Sequence, residues 1–217
     1  MHASLNEIES LCKKAARGAG MSWGLAEEAG KAAKWLSAHG LDGPQVIAGQ
    51  LRRDDGVVYS ELAPVIGAGA WHGASAALCP LITGAALSDH AYLLGSHGQI
   101  LLNDVASPQL LIPFVSAMAR RLKAPVELSW PGCSLGFDSL GGVFLNDAGG
   151  LGQQRAVSVC CKQGTDALDP ASALAGSVRP VAESDLAYLQ SLAARTYVPA
   201  TEASRLLGAG AGLSDNN

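Results

Sequence analysis

The chain has 217 residues, enough for one large domain or two small ones. Hydrophobic residues make up 48% of it and charged residues 16%, a balance that supplies a sizeable core and argues against disorder. The formal net charge of −4 excludes a generally basic surface of the kind that binds nucleic acid, so we expect no nucleic-acid partner.

The cysteines indicate a reducing compartment. Their number is odd and their spacing irregular, at Cys12, Cys79, Cys133, Cys160 and Cys161. No pair has the two-residue gap of a zinc knuckle or a thioredoxin-like motif, so we assign no metal. We expect reduced thiols that act as small buried hydrophobes in a cytoplasmic protein.

The sequence predicts neither a secretory signal nor a membrane span. Residues 1–6 are polar and lead straight into a helix. Residues 65–87 carry no formal charge, but they are mostly alanine, glycine and serine around Trp71, His72 and Pro80. Because small residues gain little transfer free energy per position, we expect no membrane partner.

The N-terminal segment predicts a helical hairpin. Ser4 and Glu7 form the capping-box pattern, in which each side chain accepts a hydrogen bond from the other residue's amide. Apolar residues follow at helical spacing until Gly18 or Gly20 ends the helix. A second helix over 23–39 has an alanine-rich face, and the short link predicts that the two helices pack antiparallel.

The rest of the chain alternates less clearly between helix and strand patterns. A short third helix is expected from Pro44 to about Arg53, and residues 64–98 show neither period. An amphipathic helix is expected over 108–123, and late helices from Glu183 or Ser184 and over 199–208 precede a tail over 208–217. Strands are expected at 57–62, 99–105, 126–130, 135–138, 142–146 and 155–162, the last four as an antiparallel meander.

The order of these elements favours an α+β fold. Helices come first, strands follow and helices return, which differs from the alternation of a doubly wound sheet. We expect an N-terminal helical hairpin plus a short third helix, a central antiparallel or mixed sheet, and C-terminal helices. A single domain over residues 1–217 is expected, with residues 1–54 as a candidate helical subdomain.

Two stretches resemble a known family. The first comprises Lys-Ala-Ala-Arg-Gly-Ala-Gly at 14–20, Trp-Gly-Leu-Ala-Glu-Glu-Ala-Gly at 23–30, and Trp-Leu at 35–36. The second is Ala-Ala-Arg-Thr-Tyr-Val-Pro-Ala-Thr-Glu at 193–202. Both are similar to a family of uncharacterised bacterial proteins known as a domain of unknown function, and the resemblance covers nearly the whole chain. It implies no activity, cofactor or site residue.

Glu28 has an unusual place on the second helix. On a helical wheel it falls between Ala32 and Trp35, at the edge of the apolar stripe, where a carboxylate needs a partner. Arg17, at the end of the first helix, is the expected partner across the turn. One interpretation is an ion pair that stabilises the hairpin. The other is a ligand-binding or acid–base site, with Arg17, Trp23 and Glu28 as candidates.

Residues 67–73 superficially resemble a dinucleotide-binding loop. Their glycines would allow a tight turn and a close approach of phosphate. Pro64 and Pro80, however, interrupt the strand and the helix that such a loop requires. A sharply turning or closely packed backbone is the favoured interpretation.

The histidines form a further candidate site. His72, Asp89 and His90, with His97, would make an acid–base or metal site only if they met in space. Isolated loop or core histidines are the alternative. Cys79 and Cys160 show no neighbouring base in the sequence that would activate a thiol.

Arg195 belongs to a polar group that surrounds a proline-marked break between the two late helices. The amides at the start of the second of these helices would suit an anion, which makes Arg195 a binding candidate. An ordinary capped helical corner is the alternative.

These patterns leave several functions open. The leading hypothesis is an accessory domain that binds a small metabolite or a protein partner, without an assigned cofactor. The alternatives are a small-molecule enzyme that uses a carboxylate–histidine pair, namely Glu28 or Asp89 with His72 or His90, and a helix-turn-helix domain on DNA. The acidic balance and the Glu27–Glu28 pair oppose the last. Alanine- and glycine-rich surfaces also favour a homodimer.

Overall fold

The computed structural model describes residues 2–197. An N-terminal group of helices is followed by a five-stranded antiparallel sheet, and the last described helix packs back onto the first. The predicted α+β class is therefore confirmed. The helix expected over 199–208 and the tail over 208–217 lie outside the described residues.

The helices are α1 (Leu5–Gly18), α2 (Trp23–Ala38), α3 (Gly43–Asp54), α4 (Tyr59–Leu62), α5 (Pro80–Asp89), α6 (Tyr92–His97), α7 (Ile112–Leu122) and α8 (Glu183–Ala194). The strands are β1 (Gln99–Ala106), β2 (Val126–Trp130), β3 (Cys133–Phe137), β4 (Val143–Asp147) and β5 (Arg155–Gln163). Two 3₁₀ turns lie at Pro108–Leu111 and Pro170–Ser172.

The N-terminal hairpin forms as the sequence predicts. The Ser4 N–H donates to Glu7 Oε2 at 2.7 Å, and the Glu7 N–H donates to Ser4 Oγ at 3.3 Å, so the capping box is present. Buried alanines of α1 and α2 face each other. The two helices approach closely at Gly30, where an added Cβ would lie 2.7 Å from the Glu9 carbonyl oxygen. A residue without a side chain therefore permits this approach.

The sheet has the strand order β1-β5-β2-β3-β4, with every neighbouring pair antiparallel. Strands β2, β3 and β4 form the predicted meander. The prediction was wrong for β5, which pairs with β1 and β2 rather than with β4. The hydrophobic patterns identify each strand but carry no information about which neighbour it will pair with.

The segment between α3 and β1 differs from the sequence prediction. The strand expected over 57–62 is instead the short helix α4, because Leu62 is its only buried residue and the segment pairs with no strand among the described residues. Further along, Trp71 and Leu78 are extended and pair with the outer edge of β1. The Trp71 N–H donates to the Leu101 carbonyl at 2.8 Å, and the Leu78 N–H donates to the Asp104 carbonyl at 2.8 Å. These bonds place the start of α5 beside the helical hairpin.

Two apolar cores meet within the fold. One lies among α1, α2, α3 and α8, and the other lies between the sheet and α7. Helix α5 contributes Leu81 to the first core and Leu87 to the second, and Trp35 packs against both. Within residues 2–197, no helix is long and apolar enough to cross a membrane.

Candidate functional site

A cavity of about 720 Å³ lies where the hairpin turn, the end of α3, α4 and α5 converge. Most of its wall is apolar, and a few polar side chains interrupt it. The apolar part includes Met21, Leu25, Val57, Leu62, Ala63, Pro64, Ile66, Ile82, Ala85 and Ala86. The polar side chains are Ser22, Asp54, Tyr59, Asp89 and His90. This combination of an apolar wall and a few polar groups is typical of small-molecule sites.

Asp54 is the buried charged group of this wall. It is the last residue of α3 and is only 4% exposed. Its Oδ1 accepts a hydrogen bond of 2.9 Å from Gln50 Nε2, one turn earlier on the same helix. Its Oδ2 is buried without a hydrogen-bond partner among the described residues. A buried carboxylate oxygen without a hydrogen bond costs free energy, and a donor that bonded to it would reduce this cost.

The Cys79 thiol lies beside the same carboxyl group. As a weak donor it favours the charged form of Asp54, although its geometry leaves Oδ2 without a formal hydrogen bond. Burial nevertheless raises the pKa of Asp54, and the Cys79 thiol, the Gln50 amide and Arg53 oppose that rise. Burial and the Asp54 charge raise the pKa of Cys79 well above its usual value. The thiol is therefore neutral and unsuited to act as a nucleophile.

His90 lies at the boundary of two cavities. It lines the 720 Å³ cavity and a neighbouring one of about 500 Å³, and Ile66 also lines both. His90 Nδ1 lies 2.9 Å from the Ala86 carbonyl oxygen. A carbonyl can only accept, so Nδ1 carries the proton and Nε2 is the acceptor of the neutral ring. The rings of His90 and Trp71 form a T-shaped contact, with 5.6 Å between the ring centres.

The glycine-rich loop forms part of the smaller cavity. Gly67, Gly69 and Trp71 lie in its wall, together with His97. The chain after the loop is extended along β1, and helix α5 begins only at Pro80. The loop is therefore not followed by the helix N-terminus that gives a dinucleotide-binding turn its affinity for phosphate.

The expected Arg17–Glu28 ion pair is not formed, and this part of the prediction was wrong. Glu28 instead pairs with Lys31 at 2.7 Å, three residues along the same helix, and its side chain is 39% exposed. Arg17 Nη1 donates to the Met21 carbonyl at 2.8 Å, and its guanidinium lies 5.2 Å from the centre of the Trp23 ring. Lys31 lies within one helical turn of Glu28, so the two side chains meet on the same helix without bridging to α1.

The other sequence candidates are only partly brought together. Asp89 and His90 line the same cavity, with Asp89 exposed at its rim, whereas Glu28 and His72 are not part of that wall. His72 is exposed, and its Nδ1 lies 2.9 Å from the Gly73 carbonyl oxygen. Arg195 makes two hydrogen bonds of 2.7 and 3.0 Å to Asp55 and so joins the end of α8 to the end of α3.

The sequence patterns did not predict Asp54 as a site residue, because they ended the third helix at about Arg53. One pattern points to it in retrospect. Ile47, Leu51 and Asp54 are spaced by four and three residues, so Asp54 continues the buried stripe of α3. Gln50, four residues before Asp54, supplies the donor that a carboxylate on such a stripe needs.

The fold and the cavity define an α+β protein with a mainly apolar cavity whose wall includes two acidic side chains, Asp54 and Asp89. Residues 3–76 match the model of the family described as Protein of unknown function (DUF3726). The resemblance to a domain of unknown function is therefore confirmed for this part of the chain, which contains the hairpin and Asp54. No curated protein and no solved structure shows significant similarity to the chain. Within the described residues, no three His, Cys, Asp or Glu side chains are grouped so that they could hold a metal ion.

Proposed function

We propose that this protein binds a small, mainly apolar molecule in the 720 Å³ cavity. The observation that carries the proposal is the unpaired Oδ2 of Asp54, buried at a mainly apolar wall. The volume lies within the roughly 300–1,000 Å³ of small-molecule sites. A polar group of the ligand would meet Asp54 while its apolar body covers the side chains of α4 and α5.

The energetics favour an occupied site. An unsatisfied buried polar group costs about 1–3 kcal/mol, and a charged group costs more. A ligand that supplies the missing hydrogen bond would stabilise the folded protein by an amount that grows with the logarithm of its concentration divided by its Kd.

Ligand-observed NMR with a library of small apolar fragments tests the proposal. The change Ala85→Trp, on the α5 side of the cavity, fills the hollow. Its matched control is Ala187→Trp on α8, where the alanine is exposed and outside the cavity. We expect fragments to bind the wild-type and Ala187→Trp proteins and to lose binding to Ala85→Trp, with both variants folded by circular dichroism. Fragments that bind Ala85→Trp as well as the wild type, or no binding at all, would contradict the proposal.

Acid–base catalysis on a bound molecule is a second candidate function. It is favoured by the presence of Asp54, whose pKa is raised by burial, and of the His90 ring on one cavity wall. Fragments that bind can be incubated in D₂O and followed by NMR for exchange of carbon-bound hydrogen. If the protein transfers protons, the wild type should exchange hydrogen for deuterium in a bound fragment faster than buffer does. His90→Gln and Asp54→Asn should each abolish this acceleration. Exchange equal to that in buffer would exclude this chemistry for those fragments.

A further inference from the structure

The charged groups of the cavity wall are all acidic. Asp54 lies at the inner wall and Asp89 at the rim, and no lysine or arginine in the described part of the chain, residues 2–197, lines the hollow. Two carboxyl groups in a mainly apolar enclosure produce a negative potential, since low-dielectric walls focus the field. The cavity therefore favours a cationic group over an anionic one.

Two buried acceptor oxygens, Asp54 Oδ2 and Gln50 Oε1, lack a hydrogen bond within residues 2–197, and the Cys79 thiol beside Asp54 is only a weak donor. Gln50 is only 1% exposed, and its Nε2 already donates to Asp54 Oδ1. The group that completes this arrangement must bring N–H or O–H donors.

The arginines near Asp54 in the chain and at the hairpin turn make their hydrogen bonds elsewhere. Arg52 Nη2 donates to Asp185 Oδ1 at 2.9 Å. Arg53, the neighbour of Asp54 in the chain, donates to Ser107 Oγ and to Gln154 Oε1, each at 2.8 Å. Arg17 donates to a backbone carbonyl and lies over the Trp23 ring. Within residues 2–197, the second oxygen of this buried carboxylate thus accepts no hydrogen bond from a lysine or arginine.

We propose that the ligand carries a protonated primary amine whose N–H donates to the Asp54 carboxyl group at the cavity wall. This inference rests on the proposed function and names the head group of the molecule that the cavity binds. An ammonium group supplies three donors and the charge that the cavity favours. Its hydrogen bond to a carboxylate in an apolar site is charge-assisted and is roughly twice as strong as a neutral one. The apolar remainder of the ligand would lie against Leu62, Ile66 and Ile82.

Three probes with the same six-carbon body test the head group: hexylamine, 1-hexanol and hexanoate. Isothermal titration calorimetry at pH 7 gives the affinity of each for the wild type and for two variants. Asp54→Asn keeps the size of the side chain and an acceptor for Gln50 but removes the charge. Asp166→Asn makes the same chemical change at an exposed position outside the cavity.

We expect hexylamine to bind the wild type about tenfold or more tightly than 1-hexanol, and hexanoate to bind most weakly, because a hydrogen bond to a charged group is stronger than a neutral one. The preference for the amine should disappear in Asp54→Asn and persist in Asp166→Asn. The comparison of the three probes on the wild type needs no variant, so it still tests the head group if Asp54→Asn does not fold.

The outcomes separate the two proposals. If 1-hexanol or hexanoate binds as tightly as hexylamine, the amine assignment is overturned while ligand binding in the cavity stands. If Asp166→Asn weakens hexylamine as much as Asp54→Asn does, the attraction is a general effect of net charge and Asp54 is not the partner. If none of the probes binds and the fragment library also fails, the proposed function itself is overturned.

Discussion

Gln50 and Asp54 lie one turn apart on α3, and Gln50 Nε2 donates to Asp54 Oδ1 across 2.9 Å while both side chains are buried. This bond fixes the carboxyl group at the wall of the cavity and satisfies one of its two oxygens. The other oxygen is buried and accepts no hydrogen bond within residues 2–197. A hydrogen-bonded pair of this spacing stabilises a helix on its exposed face as well. Burial of the pair is not needed for that and costs free energy, so it indicates a role beyond helix stability.

The first prediction concerns the pH dependence of stability. Burial raises the pKa of Asp54, against the opposing effects of Cys79, Gln50 and Arg53, so the folded state holds the proton to a higher pH than the unfolded chain, where the pKa is about 3.9. The stabilisation from protonated Asp54 is complete below about pH 3.9 and is lost as the pH rises through the folded-state value. Urea unfolding from pH 3 to 8 should therefore show that Asp54→Asn gains stability relative to the wild type as the pH increases.

Asp166→Asn is the control for this experiment, because Asp166 is exposed. Its stability difference from the wild type should change little over the same pH range. A constant difference between the wild type and Asp54→Asn would mean that burial does not perturb this carboxyl group.

Local patterns account for what the sequence could predict. The capping box of α1, the alanine-rich faces of the hairpin and the strands of the sheet depend on residues a few positions apart. The cavity does not, because its wall combines the hairpin turn, the end of α3 and helix α5, which are distant in sequence. The prediction of a strand over 57–62 was wrong because strand formation also depends on residues that are distant in sequence. The alternation of side chains in this segment had no neighbouring strand to pair with, and the backbone formed the short helix α4 instead.

The second prediction tests the capping box. Ser4→Ala removes the acceptor for the Glu7 N–H and should lower the free energy of unfolding by about 1 kcal/mol. Ser10→Ala makes the same change at an exposed position inside α1, where alanine is the better helix former, and should be neutral or slightly stabilising. Urea unfolding followed by circular dichroism measures both. Equal losses for the two variants would show that the cap does not stabilise α1.

The third prediction tests the close approach of α1 and α2. Gly30→Ala places a Cβ 2.7 Å from the Glu9 carbonyl oxygen and 3.0 Å from Lys13 Cβ, so the helices must separate. We expect a loss of about 1–3 kcal/mol, as for other overpacked contacts. Gly24→Ala lies in the same helix with nothing within 4 Å of its new Cβ, and it should be stabilising by up to about 1 kcal/mol. Thermal or urea unfolding that ranks Gly30→Ala at or above Gly24→Ala would contradict the observed packing.

The fourth prediction concerns Asp104, which has a left-handed backbone with φ of 59° inside β1. Its carbonyl oxygen accepts the Leu78 N–H at 2.8 Å, and this bond helps to hold the segment that leads into α5 and the cavity wall. Asp104→Val and Asp104→Asn both remove the charge that pairs with Arg155, but only asparagine tolerates a left-handed backbone well. Asp104→Val should therefore be less stable than Asp104→Asn by about 1–2 kcal/mol.

Hydrogen exchange measures the local consequence of this strain. The Leu78 amide should lose protection in Asp104→Val and retain it in Asp104→Asn, since the valine backbone would relax away from the left-handed conformation and withdraw the carbonyl. Ligand affinity for the cavity should fall in parallel, because Cys79 and α5 follow Leu78 directly in the chain. Equal stability and equal protection in the two variants would show that the left-handed conformation of Asp104 is not needed to hold this segment on the edge of β1.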